Sequence, residues 1–499
     1  MCNIVVKIIL LHLQQYYASI LIYKKQVQIL MRINSLKKII TITLLACFTI
    51  MSYAPCYSIS TNSNKKVKKT SIRKSHKQRA KSEQFKYEYI NYDWWKNFDD
   101  EVLVDYIDRA IKNNYDLKMA TIAVDEYYQV VRMQFSKELP NVAAAFSPAL
   151  VKMPGSTKTE WTFATPAIAQ YELDLFLKNR DKTKAREKEY EQSLQNERAA
   201  YISIASAVAT TYLNIVKLDK MIELQEKIVQ DRETIYNLML ARNKEGLTST
   251  SDTVKANKSY IAGQTSLTEY KKQRSVLLNQ LCVLIGENPN NADKLVITPY
   301  DDINFSGVIP TEISSEIIEQ RPDYIKAEKM VEKAGIDVRL AKKEFLPSFN
   351  ITGLALLFSG NFGSMWTTKN GLMALAGAVN WPLFTGGSRF SNLKLKKDTY
   401  ERVLNNYYQT NLNSIKEIND ALVAINLDGQ KLSDTERQSA LEVQDFELNT
   451  ARYEQGTISK LDLVQLRENV LSTDKLVANQ KIDCFIDYIG LYKAVGSKL

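Results

Sequence analysis

The sequence predicts an α+β membrane protein built from one unit that occurs twice, each copy containing a helix, two strands, a long helix and a further helix. Three observations support this prediction. Motifs recur in the same order at a nearly constant separation, one stretch of 67 residues contains neither glycine nor proline, and each half carries a block of apolar residues after a Leu-Pro pair.

The duplication is clearest in two copies of the motif Ala-Arg-x-x-x-Gly-x-x-Ser-x-x-Asp, which are 210 residues apart at 241–252 and 451–462. Further matches, 207 to 210 residues apart, are Leu139-Pro140 with Leu346-Pro347, Leu175-Phe176 with Leu383-Phe384, and Gly286 with Gly496. Self-similarity at a fixed period indicates a repeated structural unit. We therefore expect a leader over 1–58, a polar basic linker over 59–89, and repeats over 90–300 and 301–499.

The long uninterrupted stretch, residues 177–243, predicts a helix of about 100 Å at 1.5 Å per residue. Apolar residues recur along it at spacings of three and four, and a matching stripe in the second half is interrupted by Asp428. Helices this long with narrow apolar stripes are typical of coiled coils or helical barrels. A shorter helix without glycine or proline is predicted before it, over Glu101–Lys137, and Pro140 ends that helix.

The blocks after the two Leu-Pro pairs predict four strands in all. Pro154-Gly155 suggests a hairpin in the first half, and glycine and asparagine around 359–371 separate two strands in the second. Beyond the leader we find no run of about 18 apolar residues, so we expect no membrane-spanning helix. Strands cross a membrane only as a closed barrel. Four strands cannot close one, so we expect an oligomer, with three chains supplying about twelve strands.

The charge is divided unevenly along the chain. Residues 1–82 carry 15 lysines and arginines and no acidic residue, while the remainder has 51 basic and 56 acidic residues. A nucleic-acid-binding protein is expected to carry its basic patch on the folded domain. The formal charge of +10 therefore does not indicate a nucleic-acid partner.

The N-terminal region predicts export. Met31 is followed by basic residues and an apolar run, the pattern of a signal peptide, so we expect Met31 to be the true start. Leu44-Leu45-Ala46-Cys47 resembles a lipobox, which predicts lipidation of Cys47. The apolar run continues past Cys47, however, and this favours ordinary cleavage further on, after Ser58. Both alternatives stay open.

The residues argue against an enzyme. The only histidines, His12 and His76, lie outside the predicted folded body, and the common metal, phosphate-loop and nucleophile motifs are missing. Cys282 and Cys484 lie in apolar helical patterns and are expected to act as small core residues. No catalytic residue, cofactor or metal site is expected. The rival interpretation is a structural coiled-coil scaffold without a pore, which would have no use for the strand blocks.

Taken together, these motifs resemble the TolC-type outer-membrane factor family over residues 90–499. The residues that carry the resemblance are Trp94-Trp95-Lys96-Asn97-Phe98, both Leu-Pro pairs, Asp174-Leu175-Phe176, Pro382-Leu383-Phe384 and the twin glycine motifs. The Trp-Trp-x-x-Phe segment and the lipobox are most similar to its lipid-anchored, NodT-type branch. The resemblance implies a homotrimer with a twelve-stranded outer-membrane β-barrel on a long periplasmic α-helical barrel. It also implies an exit duct for efflux or type I secretion, contacting outer-membrane lipid, a periplasmic adaptor and an inner-membrane pump.

The two glycine motifs predict turns between paired helices, because glycine suits a left-handed C-cap and the Ser, Thr and Asp residues that follow suit an N-cap. The resemblance implies that these turns form the periplasmic tip. The residues expected to meet the adaptor there are Gly246, Leu247, Gly456 and Thr457.

The resemblance also implies a gate at the closed periplasmic mouth. The residues expected at this constriction are Asp252, Asp462, Ser251 and Tyr453. Threefold repetition of a carboxylate would make a negative ring that favours cations. Ile458 and Gln465 stand where some relatives carry an arginine and a second aspartate. We therefore expect Ser251 and Tyr453 to supply neutral hydrogen bonds to the carboxylates instead of an arginine clasp.

Overall fold

Both copies of the predicted unit are present in the computed structural model, which describes residues 94–152, 157–307 and 315–496. The first copy contains α1 (Glu101–Asn113), α2 (Tyr115–Phe135), β1 (Asn141–Ala144), β2 (Ser147–Lys152), β3 (Thr159–Leu173), α3 (Lys178–Lys244) and α4 (Thr250–Leu284). The second contains α5 (Pro322–Lys343), β4 (Ser348–Ser359), β5 (Gly371–Asn380), α6 (Ser388–Glu454) and α7 (Lys460–Val495). The predicted fold class is confirmed.

The first helical segment differs from the prediction of one helix over Glu101–Lys137. It breaks at Asn114, whose backbone is extended at ψ 131°. The Asn114 side chain accepts a hydrogen bond from the backbone N–H of Leu117 (3.1 Å) and donates one to the carbonyl of Leu284 (2.9 Å). Asparagine is among the best N-cap residues, so it can start a new helix without glycine or proline.

The strands form one antiparallel sheet in the order β1-β3-β4-β5, with β2 also paired to β3. The prediction of two strands in the first half is wrong in detail, because its first strand is divided at Ala145 and Phe146 into β1 and β2. These two follow each other along the same edge of β3, so the sheet still has four strand positions. The predicted turn at Pro154-Gly155 lies outside the described residues.

The two halves meet in the middle of the sheet. β3 and β4 pair over eleven residues, from Phe163 opposite Ser359 to Leu173 opposite Phe349. The sheet therefore cannot be divided between the two repeats, and β5 on one side and β1 with β2 on the other remain as open edges.

The long helices α3 and α6 each have 67 residues and extend about 100 Å from the sheet. The predicted apolar stripe of α3 is confirmed, since Val208, Tyr212 and Ile215 are fully buried. By composition, α3 includes an 18-residue window apolar enough to cross a membrane, contrary to the expectation that there is no such helix. However, 61% of that window is buried inside the protein, as in a core helix.

The main core lies where α1, the middle of α3 and the ends of α4 and α7 come together. Trp95 and Phe98 are buried there, and the ring of Trp94 stacks on Tyr492 with centroids 5.2 Å apart. Cys282 and Cys484 are buried free cysteines, as predicted. Burial raises the pKa of the Cys484 thiol to about 11, so it behaves as an apolar core group.

Candidate gate and docking turns at the helix ends

The turns that join α3 to α4 and α6 to α7 are built in the same way. Gly246 and Gly456 adopt φ of +73° and +74°, in the left-handed region that favours glycine. The N–H of Leu247 donates to the carbonyl of Arg242 (2.8 Å), and that of Thr457 donates to the carbonyl of Arg452 (2.9 Å). These bonds close a Schellman motif at the end of each long helix, as the two glycines predict.

The outgoing helices begin with matching caps. The side chain of Ser249 accepts from the backbone N–H of Asp252 (3.1 Å), and that of Ser459 accepts from the backbone N–H of Asp462 (3.2 Å). At the connection between α6 and α7, the Asp462 carboxylate also accepts a hydrogen bond from the backbone N–H of Ser459 (3.3 Å), which completes a capping box. Asp462 therefore takes part in the cap of α7, and Asp252 lies in the first turn of α4, where a carboxylate interacts favourably with the helix N-terminus.

The helix pairs α3–α4 and α6–α7 are held side by side close to the two turns. Arg232 on α3 forms an ion pair with Glu468 on α7, and Arg467 on α7 lies 3.0 Å from the carboxylate of Asp231 on α3. A small apolar cluster of Leu224, Ile228 and Leu471 packs on the side of these pairs away from the turns. The two turns are thereby held at the same end of the long helices.

The turns are exposed in the single chain. Leu247 has 69% of its surface exposed, Thr457 is exposed, and a Cβ built on Gly246 or Gly456 would meet nothing within 4 Å. All four predicted docking residues are therefore accessible to another molecule at the end of the helices.

The carboxylate of Asp252 has two side-chain partners on its own helix end. The hydroxyl of Ser249 donates to it at 2.7 Å, and the ammonium of Lys255 lies 3.2 Å away. The Ser249 hydroxyl first, and then Lys255, holds the pKa of Asp252 below its usual value. Lys255 was not among the predicted residues, although its position three residues after Asp252 places the two on one helix face.

Within one protomer, the hydroxyl groups that reach the two carboxylates belong to the N-cap serines. Asp462 accepts from the hydroxyl of Ser459 at 2.7 Å. In the part of the chain that the structure describes, neither Ser251 nor Tyr453 reaches Asp252 or Asp462 within one protomer. The N-cap serines take this role because their side chains are already directed at the first turn.

Two other residues named above occupy different settings. Gln465 donates to the side chain of Asn469 (3.5 Å) on its own helix, and Ile458 is half-buried in the turn. Cys47 lies outside the described residues.

Comparison with known proteins identifies the family to which this chain belongs. A family model described as outer membrane efflux protein matches the chain twice, over residues 106–287 and 313–497. The chain belongs to the outer membrane efflux protein family. This efflux protein is therefore a channel component of the outer membrane, with its helical part in the periplasm, and it is not an enzyme. A scaffold without a pore is thereby ruled out.

Individual relatives agree with the family match. The efflux protein is 26% identical over 412 residues to the probable efflux pump outer membrane protein TtgC of Pseudomonas putida, covering 81% of this chain and 84% of TtgC. It is 24% identical over 412 residues to the cation efflux system protein CusC of Escherichia coli, covering 82% of this chain and 89% of CusC.

Among solved structures, the CmeC outer membrane channel of Campylobacter jejuni matches with a TM-score of 0.73 at 26% identity, covering 82% of this chain and 88% of CmeC. The outer membrane protein VceC of Vibrio cholerae has the same fold, with a TM-score of 0.72 at 20% identity over 82% of this chain and 99% of VceC. The efflux protein thus has the fold of solved outer-membrane channels over most of its length.

Proposed function

We propose that three copies of this efflux protein form one passive exit duct, in which their strands close a twelve-stranded outer-membrane barrel and their long helices form a periplasmic tube. The open sheet is the observation that supports this most directly. Four strand positions with two free edges leave backbone groups unpaired, which lipid cannot satisfy. Three copies supply twelve positions, within the range of known barrels.

The helices support the same assembly. α3 buries an extended apolar stripe within its own chain, whereas in α6 only Ser414, Ile418 and Thr435 are buried. Large apolar residues of α6 are instead exposed along much of its length, including Leu412, Val423, Leu427, Leu441 and Leu448. Exposed large apolar residues that recur along one helix in this way indicate a protein interface. Neighbouring copies would cover it.

We also propose that the duct works with a periplasmic adaptor and an inner-membrane pump. The exposed turns around Gly246, Leu247, Gly456 and Thr457 would form the docking surface for the adaptor. Related channels are named for toluene, antibiotic and cation efflux, and they share this overall sequence pattern. We infer that the pump, rather than the duct, selects the cargo.

At the mouth of the duct, we propose a gate formed by Asp252 and Asp462 from three copies, lined by Ser251 and Tyr453. The position of both carboxylates in the first turn of a helix, at the exposed ends of paired helices, supports this placement. Three such pairs around one axis would attract cations, because like charges in a narrow mouth require counterions. In this assembly Tyr453 would reach a carboxylate of another copy.

The gate can be tested by conductance of the purified protein in planar bilayers. We expect a small, cation-selective conductance that divalent cations block from the periplasmic side. Asp252→Ala with Asp462→Ala should abolish the block and weaken selectivity, and Tyr453→Phe should raise the resting conductance. The matched control, Glu269→Ala with Asp445→Ala, removes as many exposed carboxylates away from the turns. If the double aspartate variant is still blocked by divalent cations and is still cation-selective, these residues only stabilise the helix ends.

We further propose that the protein belongs to the lipid-anchored, NodT-type branch and is lipidated at Cys47. The Leu-Leu-Ala-Cys pattern supports this. Labelled palmitate or glycerol should enter the wild-type protein and be lost in Cys47→Ala, while Cys56→Ala serves as the matched control. A mature N-terminus near Ile59 would instead establish ordinary signal cleavage.

A further inference from the structure

One of the positions at which the two turns differ in charge lies close to the aspartate in the first turn of each outgoing helix. Lys255 and Gln465 each lie three residues after that aspartate, and they are 210 residues apart, as are the two motifs. The ammonium of Lys255 lies 3.2 Å from the carboxylate of Asp252. Gln465 is neutral and is hydrogen-bonded to Asn469. The first turn thus pairs its carboxylate with a cation, and the second leaves its carboxylate without one on the same helix face.

The Lys255–Asp252 pair contributes little to the stability of the fold. The side chains are 75% and 48% exposed, and solvent-exposed pairs three residues apart contribute little to folding. The electrostatic consequence is larger. Even when the pair separates, Lys255 remains within one helical turn of Asp252, which is inside the screening length of about 8 Å at physiological salt. An ion approaching Asp252 therefore always experiences both charges.

We propose that Lys255 sets the ion preference of the periplasmic mouth by cancelling the charge of Asp252, so that Asp462 alone provides the cation-attracting ring. This inference rests on the proposed function, in which three copies bring both aspartates to one mouth. Each protomer then contributes one net negative charge from Asp252, Lys255 and Asp462 in place of the two that the aspartates alone would supply. Lys255 is a specificity-determining residue, and it keeps the mouth permissive for anionic cargo.

The test uses the full-length trimer in planar bilayers under a salt gradient, with potassium chloride as the probe. Lys255→Gln removes the cation next to Asp252 and doubles the net negative charge that Asp252, Lys255 and Asp462 contribute together. Permeability depends exponentially on the local potential, which scales with charge. The cation-to-anion permeability ratio should therefore rise to about the square of the wild-type ratio.

Two matched variants separate this effect from a general perturbation. Gln465→Lys places a cation three residues after Asp462, as Lys255 is after Asp252, and should lower the permeability ratio below the wild-type value. Asp252→Asn combined with Lys255→Gln restores the wild-type net charge without restoring the pair. Its permeability ratio should return to the wild-type value.

The outcomes distinguish this inference from the function on which it rests. An unchanged ratio in Lys255→Gln, or a double variant that stays at the Lys255→Gln value, would overturn the role of Lys255. In that case, a lowered ratio in Asp462→Asn would show that the proposed gate still stands. If Asp462→Asn also leaves the ratio unchanged, or if the trimer does not conduct, the proposed gate fails and the role of Lys255 fails with it.

Discussion

A pair of carboxyl groups between α6 and α7 shows how single residues modify this fold. Asp428, the residue that interrupts the apolar stripe of α6, interacts with Asp487 on α7. The Oδ2 atom of Asp487 is buried without a hydrogen-bond donor among the described residues. Burial first, and then the charge of Asp428, raises the pKa of Asp487 to about 6. Nearby Asp483 also raises it, although Asp483 is itself paired with Lys217 at 3.0 Å.

This raised pKa predicts that Asp487→Asn stabilises the protein near neutral pH. Because the folded state holds the proton more tightly, the contribution of Asp487 to stability is present below its ordinary pKa of 3.8 and is lost as pH rises through about 6. After solvent screening, we expect a gain of about 1–2 kcal/mol at pH 7.5 that shrinks below pH 6 and nearly vanishes by pH 4. Thermal unfolding of the detergent-purified protein between pH 4 and 8 measures it.

The control for this prediction is Asp398→Asn, which removes an exposed carboxylate from α6, the helix that carries Asp428. It should leave the unfolding midpoint almost unchanged at every pH. A pH-independent effect of Asp487→Asn would mean that the buried carboxyl does not titrate in this range.

At the scale of elements, the helix ends depend on left-handed glycines in two different surroundings. Gly246 has open space around it, whereas a Cβ on Gly286 would lie 2.7 Å from the backbone carbonyl oxygen of Asn113. Gly286 adopts φ of +76° where the end of α4 packs against the end of α1. The first glycine is needed only for its backbone conformation, and the second also for its lack of a side chain.

These surroundings predict unequal effects of the same substitution. Gly246→Ala should cost about 1 kcal/mol, from left-handed strain alone. Gly286→Ala should cost about 2–4 kcal/mol, because overpacking against a backbone atom adds to that strain. Chemical denaturation of the two purified variants compares the losses directly. Equal losses of unfolding free energy would show that the contact between α1 and α4 adjusts to the added methyl group without destabilising the protein.

At the scale of the whole molecule, the two repeats share a plan but are buried differently. α3 lies inside its own chain, and α6 lies at its surface with an uncovered apolar face. In the proposed trimer, neighbouring copies would cover this face of the second repeat.

Charges on that face of α6 should therefore break the assembly. Val423 and Leu427 are 56% and 57% exposed in the single chain, and Val423→Glu with Leu427→Glu would bury carboxylates at the proposed interface. We expect the heat-sensitive trimer to be lost on gels and in light scattering. Leu427→Met retains the apolar surface and should leave the trimer intact. Survival of the trimer in the double glutamate variant would place the interface elsewhere.

Features that depend on local chemistry could be predicted from the amino-acid sequence. The long helix predicted over 177–243 spans Lys178–Lys244, because no residue within it opposes a helix. The turns at Gly246 and Gly456 followed from the need for positive φ and from the caps that come after them. The duplicated plan was equally evident, since both copies repeat these local signals in the same order.

Tertiary structure alone decided the features that depend on distant contacts. Asn114 breaks a helix that its neighbours would continue, because its side chain bonds to Leu284 at the end of α4. The apolar stripe of α3 is buried, whereas α6 leaves large apolar side chains such as Val423 and Leu427 exposed, because different elements pack against each helix. Asp428 and Asp487 come together across two helices, so the cost of that pair could not be predicted from either residue. In each case the deciding partner is far away in the sequence, and only packing brings it near.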